Sequence, residues 1–199
     1  MTQNHPPRTS QYHIDPIFLQ RWSPRAFEPV DIPERDLLTI LEAGRWAASA
    51  YNSQPWRFLY ARRTSPYWER FFNLLNDNNK AWAKDASAFI LLVSAKTMVS
   101  PLTGAVMPNH THSYSAGTAM AHLMLQATKS GWATHAMSGF DHKKARQDLN
   151  IPEDYSVDAL MVVGKQADKA KLPQALQDRE FPSARNPLNA IAYEGSFRK

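Results

Sequence analysis

The chain has 199 residues, 43% hydrophobic and 21% charged, with only 7 Gly, which is the make-up of one folded domain with its own core and excludes a disordered, collagenous or low-complexity protein. With no Cys, disulfides, thiolate metal centres, iron–sulfur clusters and cysteine nucleophiles are removed together, and a reducing compartment fits. Lys and Arg outnumber Asp and Glu by 23 to 18, a net charge of +5, but the bases are interspersed with acids, which argues against a nucleic-acid stripe and leaves small anions open as partners.

Residues 1–12 read as a polar, loosely held arm without a core-facing period, and residues 13–199 as the folded domain. A helix is signalled from Asp31, a candidate N-cap, with Pro33 and Glu34 in the first turn. Leu37, Ile40, Leu41, Gly44 and Ala48 fall on one face of it. The small residues Gly44, Ala47, Ala48 and Ser49 at its far end would let a second helix or a flat ligand approach closely. Trp56 to Ala61 predicts a strand, Pro66 to Leu75 a helix, and Ala88 to Ser94 a buried strand. That last stretch contains the longest apolar run, far below the roughly 20 residues that cross a bilayer. The N-terminus lacks the apolar stretch of a secretory signal, so a cytoplasmic protein is expected.

Lys96 to His112, with Pro101, Gly104, Pro108 and Asn109, reads as a long loop, either a lid or a surface insertion. Ser113 to Ser130 predicts a helix that is apolar nearly all round, with Thr118, His122, Gln126 and Lys129 as its polar stripe. Such a helix is central or lies at a subunit interface, and Gly131 stops it. An extended segment over Ala133 to Met137, a helix from Asp141 to Leu149 and a strand from Leu160 to Val163 follow. From Ala167 a Pro-interrupted tail carries Leu172, Leu176, Phe181, Leu188, Ile191, Tyr193 and Phe197, which need a surface on their own domain or on a partner subunit.

No two glycines form a G-x-G pair, so the dinucleotide fingerprint and the phosphate-binding P-loop are both absent. There is no G-x-S-x-G nucleophile elbow either. His110, His112, His122 and His135 lack the spacing and carboxylate of a zinc site, and no metal is expected. Three segments carry positive signals. Arg21-Trp22-Ser23-Pro24-Arg25 crowds two guanidinium groups and a hydroxyl into one turn, which suits a phosphate, although taken alone such a turn is more simply read as solvated surface. Ser49, Asn52 and Gln54 offer amide and hydroxyl groups that read the polar edge of a heterocycle or close a hydrogen-bonded loop. Met137-Ser138-Gly139 precedes a helix, where Gly139 lets backbone N–H groups approach a ligand and Asp141 serves as N-cap.

These three segments, in this order and with Glu42-Ala43-Gly44-Arg45-Trp46-Ala47 ahead of the second, resemble the FMN-dependent nitroreductase family in its short single-domain branch, from about Phe18 to Phe197. The resemblance implies an α+β fold, a central mixed or antiparallel sheet wrapped by helices. It also implies a homodimer with FMN at the interface and a C-terminal tail packed on the partner subunit. By position, Arg21, Ser23 and Arg25, with Trp22 among them, and Arg185 in the tail would hold the phosphate and ribityl chain. Ser49, Asn52 and Gln54 would approach the flavin from one chain or the other. The backbone of Met137, Ser138 and Gly139 would face its reactive edge, with Asn79 and Trp82 near the pyrimidine ring. Two departures stand out: Ala48 replaces the family's Pro, and Ser183 a basic residue before the tail arginine.

The implied activity is hydride transfer from NADH or NADPH through FMN to an electrophilic acceptor such as a nitroaromatic or quinone, in ping-pong fashion. The cofactor carries the chemistry, so no catalytic acid or nucleophile is required. The alternatives are a specialised enzyme of the same fold (dehalogenase, flavin-destroying or desaturase type), or a flavin-storing or sensing protein without turnover. Neither a nucleic-acid nor a membrane partner is expected.

Overall fold

The computed structural model describes residues 7–197, so the first six residues of the expected arm lie outside the described residues. In chain order the elements are α1 (Ile17–Gln20), β1 (Phe27–Glu28), α2 (Glu34–Arg45), β2 (Trp56–Arg62), α3 (Trp68–Phe72), α4 (Asp77–Ala83), β3 (Ala88–Ala95), β4 (Thr97–Val99), β5 (Val106–Pro108), α5 (His112–Lys129), β6 (Ala133–Met137), α6 (His142–Asp148), β7 (Tyr155–Gln166) and α7 (Gln174–Gln177).

β7 is the middle of the main sheet. Its residues Leu160 to Val163 pair with β3 and also with β6, which places those two strands on opposite edges of β7. β2 pairs with the far side of β3, and β1 meets the end of β7 at Lys165 and Gln166. Every pairing among the described residues is antiparallel, which narrows the expected mixed or antiparallel sheet to the second.

The unbroken apolar run of β3 means that both faces of the sheet are covered. Phe89, Leu91 and Val93, with Leu160 and Val162 of β7, pack beneath Phe71, Leu74, Trp82 and Ala145 from α3, α4, α6 and the segments joining them. Ala88, Ile90 and Leu92, with Met161 and Val163, pack beneath Leu37 and Ile40 of α2 and Ala116, Ala119, Leu123 and Ala127 of α5. Each fully buried Leu or Ile contributes about 1.5–3 kcal/mol. The α2–α5 contact depends on Gly44, where a Cβ would lie 2.7 Å from Leu123 Cδ2 and 2.9 Å from Phe58 Cζ. The small-residue end of α2 therefore receives a second helix. α5 ends as expected: Gly131 stands at φ +72°, its N–H donates to Thr128 O and that of Trp132 to Ala127 O, satisfying the last carbonyls. Asp141 caps α6 by accepting from Lys144 N at 2.8 Å.

Several local expectations are corrected. α2 begins after Pro33, and Asp31 makes no capping bond to it, because the fixed φ of Pro33 sets the first turn. The predicted helix over Pro66 to Leu75 is confined to α3, since Leu75 leaves it to bridge Phe140. Asp77–Ala83 is a further helix, capped by Asn76. β7 runs 12 residues rather than four. The segment Lys96 to His112 is a hairpin, β4 paired with β5, turned through Gly104 at φ +70° and closed by Ser100 N donating to Ala105 O. Its strands have three residues each, too few for an alternation to register. Among the described residues no helix is long and apolar enough to cross a membrane.

Candidate functional site

The Arg21–Arg25 segment leads into the edge strand β1 and is fixed from below and from the tail. His135, on β6, lies beneath it: its Nδ1 is 3.0 Å from Pro24 O, and because a carbonyl only accepts, Nδ1 carries the hydrogen. The ring also packs on Trp82 with centroids 4.7 Å apart. Burial pushes the His135 pKa down and Arg25 and Arg21 push the same way, against the carbonyls of Pro24 and Ser23. From the tail, the buried carboxylate of Glu180 accepts from Arg25 N at 2.6 Å and Ala26 N at 2.9 Å. Its Oε2 has no hydrogen bond and lies 3.6 Å from Arg25 Nη1. The charge of Arg25 is therefore largely compensated inside the chain.

The other guanidinium groups are not compensated in this way. Among the described residues the Arg21 guanidinium reaches only Ser23 Oγ, at 3.4 Å. Arg185 donates to Ser183 Oγ at 3.1 Å and Ala184 O at 2.9 Å. Arg8 donates to carbonyls of Leu19, Arg21 and Ser183. Among the described residues none of these three arginines forms an ion pair. Burial lowers the pKa of Arg21 and Arg8, and Arg185 lowers both further. A cavity of about 610 Å³ opens beside the cluster, lined in part by Arg8, Ser10, Arg185 and Asn186. Two partly buried guanidinium groups beside the exposed one of Arg185, with no counter-charge, are an arrangement that attracts an anion.

At the end of β6, Met137, Ser138 and Gly139 are joined to α4. Asn79 Nδ2 donates to Gly139 O at 2.9 Å, and Asn76 N meets the same carbonyl at 3.4 Å. A Cβ on Gly139 would fall 2.7 Å from Asn76 Nδ2 and 2.8 Å from Asn79 Nδ2, so only glycine fits this cradle without displacement. Trp82 and His135 connect it to the arginine segment, so one chain brings Arg21, Trp22, Ser23, Arg25, Asn79 and Met137 to Gly139 to a single edge, with Arg185 brought in from the tail.

Ser49, Asn52 and Gln54 lie elsewhere. They precede β2, on the opposite edge of the sheet from β6 and so three strand spacings away, about 14 Å. Ser49 Oγ accepts from Gln54 N at 3.0 Å, and Gln54 Nε2 donates to Asn52 O at 3.2 Å. Tyr51, Asn52 and Gln54 all have positive φ, 52°, 53° and 44°. Thr118 Oγ1 donates to Ala48 O, and the buried Asn109 amide donates to Ser53 Oγ, so α5 and the hairpin both hold the loop. Trp46 and Tyr51 beside it are each 70% exposed. Glu42 accepts from Arg45 and from Trp46 Nε1, which pushes its carboxyl down to about 2 and fixes the exposed indole in place.

Sequence reasoning missed Arg8, Asn76 and Glu180, and treated His135 only as a metal candidate. None of the four stands in a periodic or motif context, and each meets its partners only through the fold. Among the described residues no three His, Asp or Glu side chains gather to hold a metal ion.

An antiparallel sheet between two helical layers is the fold that this chain shares with solved nitroreductase-fold structures. The chain belongs to the nitroreductase family, whose model matches residues 18–165. It is similar to a solved oxidoreductase containing FMN, at 43% identity over 99% of each chain and a TM-score of 0.93. A nitroreductase family protein from Clostridium novyi NT is 26% identical, covering 77% of this chain and 86% of that one with a TM-score of 0.63. Protein DrgA of Synechocystis sp. is 26% identical over 181 residues, 79% of this chain and 85% of that protein.

Proposed function

We propose that the protein is an FMN-dependent oxidoreductase that takes hydride from NADH or NADPH and reduces an electrophilic organic acceptor, a nitroaromatic or quinone. The observation that carries this reading is the set of uncompensated guanidinium groups of Arg8, Arg21 and Arg185 on the same edge as the crowded Gly139 cradle. The residues present fit FMN, a flat heterocycle ending in a phosphate. The FMN content of the 43% identical solved oxidoreductase supports the same cofactor here. Bound there, FMN supplies the two-electron chemistry, as hydride acceptor from the nicotinamide and donor to the substrate.

The chain's own part is binding and orientation. Arg21, Ser23 and Arg185 hold the phosphate and ribityl chain, with Arg25 contributing N–H groups that its ion pair with Glu180 does not consume. Met137, Ser138 and Gly139 present backbone to the reactive edge, and Asn79 and Trp82 flank them. Ser49, Asn52 and Gln54, on the far edge of the same sheet, serve the flavin of a second copy. The functional unit is therefore a homodimer with two sites, built from residues 13–199 and working in the cytoplasm. The apolar outer face of α5, with Tyr114, Gly117 and Ala121 exposed, and the exposed Leu188, Ile191 and Phe197 of the tail supply apolar surface for the second copy to cover.

The test is the near-ultraviolet and visible absorption spectrum of the purified protein, followed by anaerobic NADH and NADPH. A flavin spectrum bleached by either nicotinamide is expected. A colourless protein that takes up no added FMN would overturn the cofactor, and a flavin that neither donor bleaches would overturn the nicotinamide.

A further inference from the structure

We propose that Arg8 is a positioning residue for the phosphate end of the site, stapling the N-terminal segment and the tail together so that Arg21 and Arg185 converge on one anion. The inference rests on the FMN reading above and extends it to parts of the chain that the family model does not match. Arg8, Ser183 and Arg185 all lie outside residues 18–165. One guanidinium makes three bonds there: Nε to Ser183 O at 2.9 Å, and Nη1 to Leu19 O at 3.1 Å and Arg21 O at 2.7 Å. The rigid planar fork spans the two segments at once, which a single ammonium on a flexible stem does not do.

The chemistry of its partners gives the clamp a second effect. All three acceptors are carbonyls, so Arg8 is anchored without being neutralised, in contrast to Arg25, whose partner is the Glu180 carboxylate. Nη2 of Arg8 has no acceptor among the described residues and remains free for the anion. The carbonyls that it holds belong to Arg21 itself and to Ser183, two residues before Arg185. Moving Arg8 therefore moves both neighbouring cations. Independently, the pKa of Arg8 is lowered by burial, then by Arg185 and Arg21, which places the three charges within one electrostatic neighbourhood.

The test compares FMN with riboflavin, which lacks only the phosphate, by flavin-fluorescence titration of the full-length apoprotein, with thermal melts alongside. In Arg8→Met, FMN affinity falls about tenfold or more, the loss that accompanies one charge-assisted hydrogen bond. Riboflavin affinity stays within about twofold, so the preference for FMN collapses. Arg8→Lys keeps the charge but not the span, and recovers only part of the preference; it also serves as the folded variant should Arg8→Met melt too low to titrate. Unchanged FMN affinity in both variants, or equal losses for FMN and riboflavin, would overturn the role of Arg8 alone. A wild-type chain that holds riboflavin as tightly as FMN would overturn the phosphate reading of the cluster and this inference with it.

Discussion

At the β6 edge of the sheet, Asn79 secures Gly139 O, His135 secures Pro24 O, and Glu180 secures the N–H groups of Arg25 and Ala26. At the β2 edge, the loop carrying Ser49, Asn52 and Gln54 holds three non-glycine residues at positive φ beside an exposed Trp46 and Tyr51. Each such residue costs about 1–2 kcal/mol against its relaxed conformation, less for Asn. The first region is buttressed by the interior of its own chain, and its polar groups are largely paired. The second is held in a strained shape by Thr118 and Asn109, while among the described residues its amide side chains make no hydrogen bond beyond the loop itself. In the proposed homodimer, the strained, presented loop of one copy and the cationic, braced edge of the other are complementary halves.

The largest effect that separates ligand binding from architecture is expected within the braced edge. Arg21→Met removes an uncompensated cation and weakens FMN by about 10–100-fold, the range for one or two charge-assisted hydrogen bonds, with little change in melting temperature. Arg25→Met does the reverse in proportion. It leaves Oε2 of the buried Glu180 carboxylate without its cation, although the backbone N–H groups of Arg25 and Ala26 still bond Oε1, and destabilises the fold by about 1–3 kcal/mol, while the loss of FMN affinity is smaller than for Arg21. Chemical denaturation and flavin titration on both variants decide this. If Arg25 proves the stronger ligand and the weaker support, the division drawn from Glu180 is wrong.

That division was not legible in the sequence. Arg21 and Arg25 stand in the same motif with the same spacing, and Glu180, which distinguishes them, is 155 residues from Arg25 in a tail without periodicity. The elements with a strong local signature were legible: the apolar run of β3, the capped α6, and α5 with its Gly131 stop each form where pattern and cap residues agree. The hairpin over residues 97–108 was not, because its strands are too short to alternate and Pro108, paired with Thr97, speaks against a strand. The candidate site was legible as three segments but not as two edges of one sheet, since motif order says nothing about strand order.

A smaller effect follows from His135. Its folded pKa lies below the ordinary histidine value, so as pH falls below about 6.5 the unfolded chain takes up the proton first. Stability is then lost progressively until the pH reaches the folded pKa. The loss is at most about 1.4 kcal/mol per pH unit for one group. In His135→Gln the amide can still donate to Pro24 O but cannot titrate, so the acid-side slope of denaturation midpoint against pH becomes shallower. Equal slopes in the two proteins would show that His135 is not the group that titrates there.

The smallest change in stability, and the sharpest contrast between the regions, is expected at Gln54. Replacing it by glycine at φ 44° relieves about 1 kcal/mol of left-handed strain, but glycine gives back about 0.5–1 kcal/mol through the entropy of the unfolded chain. The net is within about 0.5 kcal/mol, and the melting temperature of the apoprotein barely moves. The backbone bond from Gln54 N to Ser49 Oγ survives the substitution. Only the amide side chain is lost, and within its own chain that side chain does no more than reach Asn52 O. FMN affinity should nevertheless fall, because in the proposed homodimer the amide is presented to the flavin of the second copy. Mixing Gln54→Gly with Arg21→Met chains tests where the amide acts. If each site draws Arg21 and Gln54 from different copies, the mixed dimer has one site with both substitutions and one with neither, and about a quarter of all sites in an equal, randomly paired mixture regain wild-type FMN affinity. If both residues serve the site of their own chain, every site in the mixture stays impaired, and the complementarity of the two edges fails as an account of the loop.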